Sequence, residues 1–509
     1  LQFLSDENHV NANQSAKMAL KSWADPAPQK ISSAQWRRLF ATVPDELIAG
    51  YRYYRDCGPT VWNTYLIPPS TFAAYGFRYL QKLRFDNSLA ALRLWGFTLT
   101  ESERLYRARQ SGKKVVALMG DLGPLAPLVY SFHNTVAFYP ECHWWTPFLT
   151  ESNDLFDAAA KKGIGEDCCF VRAALGAFLK NCYFPAPDLC VASVGATCDD
   201  MAAVIQGAYG LKYPFYWFEI PYREGSPLNP PFLRGEKTHA EEFPPLSRGG
   251  RGGSVCEGMR DLLLSQFRTL ISRLEEITGH AFDEEALRQT IAQINRFRRS
   301  VEKTRRYAYR SYGAALPALE MMNLEFMGMA FYADPEEALD IALHLERTAR
   351  KRFQNGHTLT SRDALRLFWV TPPADPILLN HAEELGGQVV GSEYLIHQIR
   401  KPLREDLPPL EALAEGVLDM SLIGTSSRRA DIVVKEAKRA KAEGVVISSI
   451  FAGSHCASEN RIIAEEVRRR LGIPVLTFNV VGPGKERQQG QILSRMQAFM
   501  EVLQARRKK

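Results

Sequence analysis

The sequence predicts an α/β protein with two doubly wound parallel-sheet domains facing each other, a helical N-terminal region and a helical linker. Three observations predict it. Short apolar strands alternate with helical periodicity in two separate stretches, residues 111–222 and 359–509. Each stretch carries a cysteine just past a central strand. At 509 residues the chain exceeds one ordinary core, so two or three domains are expected.

The elements follow in order. Residues 1–110 are rich in aromatic and basic positions with helix-like spacing, and Pro68-Pro69 and the stretch 87–98 read as breaks between short helices. Residues 111–222 form the first α/β domain. Val115–Met119 is a buried strand stopped by Gly120–Pro124, and Thr135–Tyr139 is a second. Asp167 is placed to cap a helix from Cys168 to about Lys180. Leu189–Val194 is a continuous apolar strand with Gly195-Ala196-Thr197 as its exit loop. The helix beginning near Cys198 carries Asp199 and Asp200 in its first turn, where carboxylates suit the dipole. Phe215–Ile220 closes the domain.

Residues 223–255 read as a disordered insertion, because Gly225–Gly253 is dense in Pro, Gly and Arg and cannot offset its chain entropy by burial. Residues 256–358 form the linker. Asp283 caps a helix whose apolar face runs Leu287, Ile291, Ile294, Phe297 and Val301, a 3.6-residue stripe that fits a core face rather than a cofactor site. The second α/β domain covers 359–509. Strands are expected at Leu367–Val370, from Val389, at Gly444–Phe451 and from Ile473, with a helix opened by Glu459 and closed at Leu471-Gly472.

Composition narrows the function. Apolar residues at 46% and charged residues at 24% are the balance of a soluble globular chain. The net charge of +6 is small and dispersed, so nucleic-acid binding is not expected, and Arg506–Lys509 reads as a solvated terminus. No apolar run reaches the ~18–20 residues that span a membrane. The first residues lack the basic and apolar regions of a secretion signal, so a cytoplasmic location is expected. Nine cysteines, an odd and irregular set, do not form a disulfide framework.

Those cysteines divide. Cys57, Cys182, Cys190 and Cys256 read as small hydrophobes. Three others sit at strand-to-helix loops: Asp167-Cys168-Cys169, Thr197-Cys198-Asp199 and His455-Cys456-Ala457. A thiol at a helix start is favoured as thiolate by the macrodipole. Ligands in open parallel sheets bind beyond the carboxyl ends of strands. If the two halves face each other, Cys198 and Cys456 meet in the cleft, with Cys168 or Cys169 as third ligand. Three thiolates would hold an iron–sulfur cluster and leave one iron open.

With these segments in view the chain resembles the iron–sulfur subunits of 2-hydroxyacyl-CoA dehydratases and benzoyl-CoA reductases. Asp167-Cys168-Cys169-Phe170-Val171-Arg172 with Leu175-Gly176 is similar to the family's Cys-Ser-aromatic-x-Arg element. Pro187-Asp188-Leu189 with Thr197-Cys198-Asp199 is similar to the second cysteine element, and Cys456 follows its strand as the third does. Thr278-Gly279, Asp283–Leu287 and Asn295 resemble the linker. Gly490-Gln491, Arg495, Phe499 and Glu501 match the C-terminal signature. The likeness covers roughly residues 111–222 and 256–505.

The resemblance implies two flavodoxin-like domains and a [4Fe–4S] cluster on Cys168, Cys198 and Cys456, with Cys169 standing where the family has Ser. It also implies an ATP-hydrolysing iron–sulfur activator that injects one electron and an acyl-CoA substrate. The substrate's carbonyl becomes a ketyl radical anion that can lose a β-hydrogen and a 2-hydroxyl. A homologous second subunit, or a homodimer, is implied as well. A related branch reduces small molecules at a double-cubane [8Fe–9S] cluster; Cys142 and Cys182 are the candidates for its additional ligands. A non-catalytic cluster-binding or partner subunit is the third reading.

Several signals are set aside. Gly482-Pro483-Gly484-Lys485 lacks phosphate-loop spacing and reads as a turn, and Gly120–Gly123 is no dinucleotide fingerprint. His143 reads as structural. No zinc spacing occurs. His455 either bonds a sulfur or faces solvent.

Overall fold

The computed structural model describes residues 21–22, 78–86, 88–221, 257–330, 333–451 and 453–508. The expected insertion at 223–255, most of the N-terminal region with Pro68-Pro69, and Cys57 and Cys256 lie outside them.

Two four-stranded, wholly parallel sheets form the frame. The first comprises β1 (Lys114–Met119), β2 (Thr135–Phe138), β3 (Leu189–Gly195) and β4 (Phe215–Ile220), in the spatial order β2-β1-β3-β4. The second comprises β5 (Leu365–Val370), β6 (Gly387–Glu393), β7 (Gly444–Ile450) and β8 (Val475–Val480), in the order β6-β5-β7-β8. The two orders are the same, which makes the second half a topological copy of the first. In each sheet the order reverses between the first and third strands, β1/β3 and β5/β7. Beyond the carboxyl ends of that pair lies the crevice where doubly wound sheets bind ligands.

The strands form where the sequence is apolar without alternation. Val115 to Met119 and all of Leu365–Val370 are buried, as expected for sheets covered on both faces. Register runs Val116 opposite Leu189 through Met119 opposite Ala192, and Leu367 opposite Gly444 through Val370 opposite Ile447.

Four long helices, α1 (Glu257–Thr278), α2 (Glu284–Arg310), α3 (Ala318–Ala330) and α4 (Pro335–Gln354), form the linker. Asp283 caps α2 by accepting from the Glu285 and Ala286 amides at 2.8 and 3.2 Å. Its stripe Leu287, Ile291, Ile294, Phe297 and Val301 is buried, and each such side chain contributes about 1.5–3 kcal/mol. One apolar core runs from this linker under both sheets. A smaller one, around Phe368, Val433 and Ile463, backs the second sheet.

Two expectations are corrected. The stretch 87–98 is not a break, because Leu89–Leu99 is a helix with Ser88 capping the Ala91 amide. Tertiary contacts hold it: buried Arg93 pairs with Glu337 at 2.8 Å and Asp340 at 2.7 Å on α4, and Trp95 Nε1 donates to Glu320 on α3. The helix after Asp167 starts later than expected, at Arg172, and runs to Lys180. Cys168 and Cys169 precede it in a turn, with Cys168 N donating to Gly165 O.

Candidate metal centre

Three loops at the carboxyl edges converge. After β1 the chain passes Gly120 at φ +79°, where an added Cβ would lie 1.9 Å from Ser193 Oγ, so only glycine admits the turn to Asp121. After β3, Gly195 at φ +86° leads to Cys198, the N-cap residue of Asp199–Tyr209. After β7, Cys456 lies in the turn Ser454–Ser458 ahead of the helix Asn460–Leu471. Cys198 and Cys456 thus follow the third strand of each sheet and occupy equivalent positions. Cys198 Sγ is 3.7 Å from Ser454 Oγ, two residues from Cys456.

A cavity of about 100 Å³ opens where these loops meet. Cys169, Cys198 and Cys456 line it, joined by Cys142. Trp144, Trp145 and Phe326 make much of the wall apolar. Cys168 is not in the lining; its Sγ lies 3.7 Å from the Asp200 carbonyl. Cys182 and His143 are outside it too. His143 Nδ1 is 3.2 Å from Thr146 Oγ1 and its ring lies beside Tyr183 and Phe184, a structural role. Cys190 is buried in β3.

Two charged side chains hold the loops: Asp200, read from the sequence only as a first-turn carboxylate, and Arg429, absent from that reading. Asp200 Oδ1 accepts from the Cys169 amide at 3.2 Å, and its Oδ2 accepts from the Ser454 amide at 2.9 Å. One carboxylate therefore ties together all three cysteine loops. Arg429, fully enclosed, donates to Glu393 at 2.8 Å, Glu459 at 2.9 Å and the His455 carbonyl at 2.7 Å. His455 lines the cavity beside Cys456 and is partly exposed. It pairs with Glu459 at 3.5 Å, which raises its pKa. Burial pushes Glu459 up, but the bonds from His455 and Arg429 prevail and hold it at about 2. A long-range ion-pair hub of this kind leaves no periodic trace in a sequence; Asp200 had a signal, its place in a helix first turn beside Cys198.

The expected lowering of thiol pKa is not found. Burial pushes Cys168 and Cys198 up to about 12, and Cys169 and Cys456 also rise. A helix terminus is worth about 0.3–1 kcal/mol, less than desolvation of a thiolate in an apolar cavity. A bound cation would offset that desolvation and favour the thiolates.

Two carboxyls also line the cavity. Glu141 Oε1 accepts from the Gly120 and Asp121 amides at 2.8 and 3.2 Å, while its Oε2 is buried without a partner. Burial raises Glu141 to about 8 and Asp121 to about 6. Among the described residues all seven cysteines are free thiols, and no three ligating side chains converge on one point as a mononuclear ion requires. Thiols ringing a shared apolar cavity fit a polynuclear cluster, in which each ligand binds a different iron.

Paired doubly wound sheets with thiols gathered at their switch points define a class of cysteine-lined α/β cleft proteins. The chain matches the family "2-hydroxyglutaryl-CoA dehydratase, D-component" over residues 141–503 and belongs to it. It is also similar to YjiM of Escherichia coli (strain K12), which carries the name of a dehydratase subunit, at 24% identity over 319 residues, 60% of this chain and 80% of that one. Among the described residues no helix is long and apolar enough to cross a membrane.

Proposed function

We propose that the protein is an iron–sulfur subunit of a 2-hydroxyacyl-CoA dehydratase or related CoA-thioester reductase, holding a [4Fe–4S] cluster on three thiolates. The carrying observation is that Cys169, Cys198 and Cys456 line one apolar cavity at the carboxyl edges of both sheets. The motif match favours Cys168 as the third ligand; the cavity lining favours Cys169, and we adopt Cys169. When bound, the cluster supplies a low-potential electron and an open iron position for the substrate carbonyl oxygen.

The chain's own residues do the rest. Asp200 and Arg429 fix the cysteine loops, and the tryptophan wall excludes water. Glu141, protonated near neutral pH with Oε2 uncommitted, is placed to give or take a proton in the cavity. Glycine at position 120 lets that carboxyl be held by two backbone amides. An ATP-hydrolysing iron–sulfur activator and a homologous second subunit or second copy complete the system in this reading. Cys142 in the same cavity supports a second reading, a double-cubane reductase.

Anaerobic iron and acid-labile sulfide analysis with electron paramagnetic resonance tests this on wild type and on Cys198→Ala and Cys456→Ala. About four irons per chain, lost in both variants, is expected; about eight would favour the double cubane. Absence of iron from properly assembled protein would refute both and leave a partner subunit.

A further inference from the structure

The lining of the thiol cavity holds a second set of side chains that the cysteines do not account for. Among the described residues, three buried polar atoms of that lining have no hydrogen-bond partner: Glu141 Oε2, Trp145 Nε1 and Tyr394 Oη. Their residues are 7%, 8% and 2% exposed, so bulk water does not satisfy them. A buried polar group left unpaired costs about as much as a lost hydrogen bond, and three in one cavity call for a ligand that supplies the partners.

Packing fixes where two of those atoms stand. Trp145 ends the turn Pro140–Trp145 after β2, and Tyr394 directly follows β6. Phe326 of α3 packs against both, with ring centroids 5.2 Å from Trp145 and 5.8 Å from Tyr394. Trp144 stacks on Trp145 at 5.5 Å. Rings from three separate segments are thereby held together, and an indole N–H and a phenol O–H are the donors they bring. The wall beside them is aliphatic, from Leu395, Ile396 and Leu422.

Charge is equally one-sided. The lining holds two acidic side chains, Asp121 and Glu141, and no lysine or arginine. Its one basic group, His455, is engaged by Glu459 at 3.5 Å. Arg429 stands outside the lining, bonded to Glu393 and Glu459. The family is named for 2-hydroxyglutaryl, an acyl group with a second carboxylate. Here that carboxylate would enter an apolar space beside acidic groups and find no counter-ion, and an unpaired buried charge is strongly disfavoured. An oxygen on an apolar chain, accepting from neutral N–H and O–H donors, meets no such penalty. We propose that this cavity selects an uncharged, apolar acyl group and rejects a dicarboxylic one, with Trp145 and Tyr394 donating to the acyl group's oxygen atoms. This selectivity rests on the acyl-CoA reading above and names which acyl groups that reading admits.

Isothermal titration calorimetry on the anaerobically purified full chain tests it with coenzyme A, glutaryl-CoA and 5-methylhexanoyl-CoA. The two thioesters match in length and branching and differ by a carboxylate against an isopropyl group. No activator is added and neither acyl group carries a 2-hydroxyl, so binding is read without turnover. Wild type binds 5-methylhexanoyl-CoA roughly tenfold or more tightly than glutaryl-CoA or coenzyme A. Tyr394→Phe and Trp145→Phe each keep an aromatic ring and weaken it roughly three- to tenfold, the effect of one neutral hydrogen bond. Leu395→Lys, at a half-buried position of the lining, supplies the missing counter-ion and brings glutaryl-CoA to within about threefold of the branched thioester. Glutaryl-CoA bound by wild type as tightly as the branched thioester, or more so, would overturn the selectivity while leaving the acyl-CoA reading standing. Equal binding of all three compounds would place the acyl group outside the cavity and overturn it as well. Unchanged affinity in both aromatic variants would overturn the role of the two donors, and an altered electron paramagnetic resonance spectrum in them would assign those donors to the cluster. No binding of any of the three compounds would overturn the acyl-CoA reading itself, and the selectivity with it.

Discussion

Replacing Asp200 tests whether one carboxylate organises the candidate centre. Asp200→Ala removes the acceptor from two amides, those of Cys169 at 3.2 Å and Ser454 at 2.9 Å, in a buried setting where water does not replace it. Hydrogen bonds to a charged group contribute about 1.5–3 kcal/mol each, so the variant should lose about 3–6 kcal/mol. The first amide belongs to the 168–169 turn of the first half and the second to the Cys456 loop of the second half. The loss should therefore appear both in stability and in the ability to retain iron. Urea denaturation followed by circular dichroism measures the first, and iron per chain after gel filtration measures the second. Asp200→Asn keeps one carbonyl oxygen and presents an N–H₂ to the other amide, so it should lose roughly half as much. Asp199→Ala is the control: the neighbouring carboxylate is exposed, and its loss should cost no more than about 1 kcal/mol through the helix terminus. An Asp200→Ala protein destabilised by less than about 1 kcal/mol, with wild-type iron, would refute the role assigned to this residue.

Three further outcomes are expected. Arg429→Met strands the buried carboxylates of Glu393 and Glu459 and should cost about 3–5 kcal/mol in urea unfolding. Glu383 is held by burial at a pKa of about 8, well above its ordinary 4.5, with Oε1 accepting from the Ala318 amide. The folded state thus binds more protons than the unfolded chain between those values, and wild-type stability falls as pH rises through that window. Glu383→Gln should lie close to wild type near pH 5 and exceed it by on the order of 5 kcal/mol above pH 8, read from urea midpoints. Iron should fall in Cys169→Ser and persist in Cys168→Ser; the reverse result would return the third ligand to Cys168.

The strands were legible because parallel sheets covered on both faces leave unbroken apolar runs, as at Leu189–Val194 and Gly444–Ile450. Positions of Cys198 and Cys456 followed from the same runs, since each lies a few residues beyond a strand end. The third cysteine was harder. Two adjacent thiols differ only in the direction a turn gives their side chains, and the helix was expected to include them. It begins at Arg172 instead, with a cavity on one side of the turn and Asp200 on the other. The helix at Leu89–Leu99 was missed because its stability comes from Arg93 reaching Glu337 and Asp340, some 250 residues away in sequence, rather than from local spacing.

The repeated strand order carries a consequence for the centre itself. Two identical frames place Cys198 and Cys456 at equivalent points, but the acidic residues that follow them act differently. Asp200 crosses to the partner loop at Ser454, whereas Glu459 stays within its own half and pairs with Arg429. The third thiol comes from the first half alone, out of the turn before Arg172. A duplicated scaffold has thus become asymmetric at the functional edge, where the lining takes Cys142, Cys169 and Cys198 from the first half and Cys456 alone from the second. That asymmetry gives the cavity a distinct side, where Glu141 and Asp121 of the first half stand without carboxyl counterparts in the lining from the second. In the function proposed above, Glu141 on that side would be the group placed to exchange a proton with a substrate in the cavity.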